Sequence, residues 1–128
     1  MKIRTGLLAA FALILAVAPI WAHHSNAAQF DAAKRTTLKG EVTKVEWTNP
    51  HAYVYVAVKD ASGKTVTWGL EGFPPNTLLR TGWSQKDLKQ GDTISFEGCV
   101  ARDGSPIMLA REITLADGTT KKYWGPMQ

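Results

Sequence analysis

Val45-Glu46-Trp47-Thr48-Asn49-Pro50-His51-Ala52-Tyr53-Val54-Tyr55-Val56 joins two apolar runs at an Asn-Pro corner. Proline cannot continue a strand ladder and restrains the residue before it, so the corner separates two strands. Beyond it, Ala52, Val54, Val56 and Val58 alternate with His51, Tyr53, Tyr55 and Ala57. Successive side chains on a strand point to opposite faces. The valine set is therefore the core face, and the other face presents an imidazole followed by two phenols.

Upstream, Leu38, Gly40 and Val42 share one face of an extended segment, whereas Val45 and Trp47 continue in the opposite phase. One inserted residue moves every later side chain to the other face, so the switch at Thr43-Lys44 predicts a β-bulge and a long, bent first strand. Downstream, Asp60-Ala61-Ser62-Gly63 reads as a hairpin loop built on a type I turn. A third strand follows, in which Val66, Trp68 and Leu70 alternate with Thr65, Thr67 and Gly69, and Gly72-Phe73-Pro74-Pro75 ends it.

Two helical turns are expected next. Asn76 is placed to cap Thr77 to Thr81, with Gly82 as the stop. Ser84 and Asp87 have capping-box spacing, Trp83 and Leu88 form a staple, and Gly91 closes the turn. Asp92 to Cys99 predicts a fourth strand with Ile94 and Phe96 inward. After the Arg102-Asp103-Gly104-Ser105 turn, Pro106 to Leu115 predicts a fifth, with Ile107, Leu109, Ile113 and Leu115 on one face that Arg111 shares against the pattern. Asp117-Gly118 is a hairpin turn, and Thr119 to Trp124 reads as an edge strand whose Lys121 and Lys122 discourage pairing with another chain.

Three strands, a helical connection and then further strands predict a mainly β fold: a small OB-like five- to six-stranded antiparallel barrel with one short helical connection. A bent first strand fits, because it must pair on both sides of a small closed barrel. The rival architecture is an open five- or six-stranded sandwich.

The chain has 128 residues, enough for one domain, and shows no internal repeat. Lys2 and Arg4 precede an uncharged run of 12 apolar residues, Leu7 to Ala18. That is the length of a secretory h-region and too short for a bilayer span of roughly 20 residues. Ala16-Val17-Ala18 is a small-x-small match, but Pro19 follows it; Ile20-Trp21-Ala22 places the cut before His23. The expected organisation is a signal peptide over 1–22, a polar amino-terminal tail over 23–36 that docks through Phe30, and a barrel domain over 37–128. The implied location is periplasmic or secreted, with no transmembrane anchor after cleavage. Without Lys2 and Arg4, 13 basic residues face 11 acidic ones, a net charge of +2, and no basic stripe remains to support nucleic-acid binding. Cys99 is the single cysteine and forms no internal disulfide; free cysteine packs as a small hydrophobe.

His23-His24-Ser25, Glu46-Trp47-Thr48-Asn49-Pro50-His51, Gly82-Trp83-Ser84 and Gly91-Asp92, in this order, resemble a group of small exported bacterial proteins of unknown function whose mature chains open with His-His-Ser. The resemblance spans the mature chain. It implies export and one small β domain, and it implies no activity.

Cleavage before His23 would leave an amine and an imidazole on one residue, with a second imidazole from His24 or His51. Such a nitrogen set suits Cu(II), which prefers tetragonal geometry. Against it stands the ordinary reading, in which tail histidines are solvated and His51 is a turn residue. No Gly-x-Ser-x-Gly elbow is present, nothing near Cys99 lowers its pKa, and Glu46 and Glu71 read as a solvated pair of carboxylates. Tyr53 and Tyr55 stand where a barrel strand holds ligands. The sequence is thus read as a periplasmic, non-catalytic binding or accessory module, with Tyr53 and Tyr55 as ligand-binding residues and an unknown small ligand or periplasmic protein as partner. The alternative is a copper-binding protein using His23 with His24 or His51, in metal handling or electron transfer.

Overall fold

The computed structural model describes residues 26–125. The expected signal peptide, His23 and His24 lie outside the described residues. The elements in chain order are α1 (Asn26–Gln29), β1 (Phe30–Glu46), β2 (Tyr53–Lys59), β3 (Thr65–Glu71), α2 (Pro75–Arg80), β4 (Thr93–Ala101), β5 (Ile107–Thr114) and β6 (Thr120–Lys122). The fold is mainly β. Neighbouring strands pair in the order β3-β2-β1-β4-β5-β6, and β3 also pairs with β5, so the pairings run round a ring with β6 appended to β5. All the ladders are antiparallel except β3 with β5. No helix among the described residues is long and apolar enough to cross a membrane.

The phase switch in β1 is a bulge at the expected place. Val42 pairs with Val56 and Lys44 with Tyr55, which leaves Thr43 as the extra residue. Val42 on one side of the bulge and Val45 on the other therefore both reach the core, while β1 bonds β4 along one length and β2 along the other. Ala52, Val54, Val56 and Val58 are buried as the alternation required, together with Leu70, Ile94, Phe96 and Trp83; Trp47 and Trp68 pack against them half-buried. β1 begins at Phe30, seven residues before the Thr37 start read from the pattern. Phe30 supplies the reason: it is fully buried in a satellite cluster with Cys99, Ala101 and Leu109, which fixes the chain ahead of it.

Three local expectations are corrected. Asn76 does not cap a helix, because α2 starts at Pro75, two residues before the expected Thr77, and the missing N–H of Pro75 costs nothing in a first turn. Gly82, with φ of 98°, follows its end. Ser84 to Leu88 forms a turn, not a helix. Its capping bonds are present all the same, Ser84 N–H to Asp87 Oδ2 at 2.8 Å and Lys86 N–H to Ser84 Oγ at 3.2 Å, and they hold Trp83 and Leu88 into the core.

Arg111 also departs from its expected place on the apolar face. Glu97 pairs with Glu112 but Gly98 with Ala110, so Arg111 is a bulged residue in β5. Met108 and Ala110 face the main core before the bulge and Ile113 after it, while Leu109 faces the satellite cluster. The even spacing that put Ile107, Leu109, Arg111 and Ile113 on one face is broken at Arg111 itself.

Candidate functional site

The backbone around the Asn-Pro corner brings three distant segments together. The Asn49–Pro50 peptide bond is cis. Gly72 N–H donates to Ala52 O at 3.0 Å, Ala52 N–H to Phe73 O at 3.2 Å, and Phe73 N–H to Tyr123 O at 3.0 Å. The bulged Arg111 completes the arrangement, because its carbonyl accepts from both Tyr123 N–H at 2.7 Å and Trp124 N–H at 3.2 Å. The chain end is thereby held beside the start of β2. Gly72 is required there: a Cβ at that position would run into the Tyr123 ring.

On this frame His51, Tyr53 and Tyr55 lie on one side of β2, all half-buried. Tyr53 pairs across the sheet with Glu46 on β1 and with Glu71 on β3, so a phenol stands between two carboxylates in one row. His51 is the diagonal neighbour of Glu71, within reach for a long side chain. Its Nδ1 lies 2.5 Å from Glu71 Oε1. A carboxylate only accepts, which assigns the proton to Nδ1 and leaves Nε2 outside the pair. Glu71 is 5% exposed and is the one buried charged residue among those described.

Aromatic rings enclose the pair. Trp124 meets the His51 ring edge-on at 5.2 Å and stacks on Phe73 at 4.8 Å. Tyr53 and Tyr55 are near parallel, 18° apart, with centroids separated by 6.3 Å. Burial first, and then the neighbouring Glu71, push the Tyr53 phenol up to about 12. Tyr123 is fully buried, its hydroxyl has no partner, and burial followed by the nearby Tyr53 and Glu71 raises its pKa. At the other end of the row the Tyr55 hydroxyl donates to Glu46 Oε2 at 3.3 Å, and Lys44 Nζ sits 2.5 Å from Glu46 Oε1 and 5.7 Å from the Tyr55 ring centre.

The structure thus brings His51, Tyr53 and Tyr55 onto one face. It adds Glu71, which the sequence reading left as a solvated carboxylate, and Trp124, which had no assigned role. The alternation signal showed Glu71 only as the last residue of a strand; its burial comes from a chain end some fifty positions away. Phe30 is buried, but as the first residue of β1 and not in a docked tail. Trp124 packs on the cluster that holds Phe30 as well as on His51. Cys99 is a buried free thiol, and burial chiefly raises its pKa. Among the described residues no three His, Cys, Asp or Glu side chains are grouped to hold a metal ion.

Neither a curated protein nor a solved structure matches this chain. A family model does match, over residues 12–110, which is most of the sequence, and the chain accordingly belongs to the Family of unknown function (DUF6152).

Proposed function

We propose that this chain is an exported, non-catalytic binding or accessory module, a small OB-like barrel that offers the His51, Tyr53 and Tyr55 row to a small ligand or a periplasmic protein partner. The closed order of pairings and the position of α2 between β3 and β4 support the barrel. The observation that carries the reading is the buried Glu71 carboxylate on His51 Nδ1. Sequestering a charge beneath a half-exposed imidazole is costly unless paired, and here the pairing fixes the orientation of a ring at the mouth of an aromatic face. Cys99, the one thiol, is buried among Phe30, Ala101 and Leu109, and its raised pKa opposes use as a nucleophile.

The test is a thermal-shift comparison of the wild type with Tyr53→Ser/Tyr55→Ser against benzoate, indole, propylammonium and Cu(II). A probe that stabilises the wild type and not the variant supports this face as the binding surface. Equal stabilisation of both by every active probe overturns it.

A second reading rests on a specific feature of the same pair. Imidazoles that bind metal through one nitrogen commonly donate the other N–H to a carboxylate, as His51 does to Glu71. In this reading His51 Nε2 joins the mature amino-terminal His23, or His24, to hold copper for metal handling or electron transfer. Titrating Cu(II) into protein beginning at His23, and into protein with one residue added ahead of it, decides the matter. Tight binding that the added residue abolishes supports copper; equally weak binding in both excludes it.

A further inference from the structure

Resting on the binding-module reading, we infer that the ligand class for this face is a primary alkylammonium, and that Lys44 is its intramolecular stand-in. The geometry around Lys44 is that of a bound amine. Its ammonium is paired with Glu46 Oε1 at 2.5 Å and lies over the Tyr55 ring at 5.7 Å, while the other Glu46 oxygen is fixed by the Tyr55 hydroxyl. A carboxylate held beside an aromatic face recognises a cation both by charge and by the ring quadrupole.

Three features make the position available to another amine. The Lys44 side chain is 63% exposed, and exposed ion pairs are weakly held, so it is displaceable. Tyr53, parallel to Tyr55, extends the aromatic surface toward Glu71, so that Glu46, Tyr53 and Glu71 form a row with carboxylates at both ends. Gly69, opposite Tyr55 on β3, has no side chain to cover the ring, and a Cβ there would only just touch it, at 3.6 Å. A metal ion is a poorer fit to this end of the face, because hard cations need several oxygen ligands and the aromatic rings supply none at their faces.

The same chemistry reaches the protein either as a free amine or as a lysine side chain of another chain. The experiment titrates 1,4-diaminobutane and Nα-acetyl-lysine amide into the purified protein while following backbone amide shifts. Perturbation centred on Lys44, Glu46, Tyr53 and Tyr55 is expected for at least one of them. A preference for the diamine assigns the free amine, and a preference for the lysine amide assigns a protein side chain. Lys44→Ser removes the competitor and should tighten binding about two- to fivefold, the range that an exposed pair implies. Glu46→Gln should weaken it, with the fold of each variant checked by its own amide spectrum. No perturbation by either amine, or weaker binding in Lys44→Ser, overturns the assignment. If benzoate or indole marks these residues while both amines fail, the face is still a binding surface and the alkylammonium class is wrong.

Discussion

His51 and Glu71 are joined by a 2.5 Å hydrogen bond between Nδ1 and Oε1, on a face where the imidazole is half-exposed and the carboxylate is not. Replacing the buried carboxylate by a neutral amide exchanges a charge-assisted hydrogen bond for an ordinary one and adds an NH2 donor that the buried place does not satisfy. Glu71→Gln keeps size and an acceptor oxygen, so it should lower unfolding free energy by about 1–2 kcal/mol. Urea unfolding measures this, and an unchanged midpoint would mean that the pair contributes nothing to stability.

Tyr123 and Gly72 make a second, opposed pair of predictions. The Tyr123 hydroxyl is buried without a partner, so Tyr123→Phe should be neutral or stabilising by about 1 kcal/mol. Gly72→Ala drives a methyl into that ring and should cost about 1–3 kcal/mol, whereas Gly69→Ala meets only ordinary contact and should stay within about 0.5 kcal/mol. Thermal unfolding of the three variants is sufficient, and equal losses at Gly72 and Gly69 would contradict the packing described.

The Tyr53 phenol is raised to about 12 from an ordinary value of 10.0. Folding therefore favours its neutral form; that contribution is complete below pH 10 and is lost as pH rises through about 12. Phenolate absorbance should show one tyrosine ionising near 12, and Tyr53→Phe should remove that transition and flatten the alkaline loss of stability. Its persistence in the variant would assign it elsewhere.

Asp87 behaves in the opposite sense. Burial pushes its carboxyl up, but Lys121 Nζ at 2.7 Å and Ser84 N–H outweigh this and hold it below the usual range. The stabilisation is present above the unfolded carboxyl pKa of about 3.9 and is lost as pH falls through the lower folded value. Asp87→Asn should be about 1 kcal/mol less stable than wild type at pH 7, with the gap closing in acid. A gap that is constant with pH would show that the loss is not electrostatic.

How much of this was legible in the sequence depends on the range of the forces involved. The valine alternation of β2, the Thr43 bulge and the Asp117-Gly118 turn are local, because each is set by neighbours within a few residues, and each was readable. The Arg111 bulge was not. An arginine on an apolar face signals only an irregularity, and its cause lies in the register with β4 and in the two N–H groups that its carbonyl receives. For the site, the His51, Tyr53 and Tyr55 row followed from strand period alone. Glu71 and Trp124 required knowledge that Gly72, Phe73 and Tyr123 are tied together, a tertiary contact with no periodic signature. The second helical turn failed for a related reason: a capping box can form its bonds while the chain beyond it is too short to propagate a helix.

Backbone amide shift mapping with the probe panel tests most directly whether the His51, Tyr53 and Tyr55 face is where this module binds. Probes that bind should perturb a contiguous set drawn from Lys44, Glu46, His51, Tyr53, Tyr55, Glu71 and Trp124, and Tyr53→Ser/Tyr55→Ser should abolish the response. Perturbations that centre instead on Leu38, Val66 and Trp68, and survive in that variant, would contradict it.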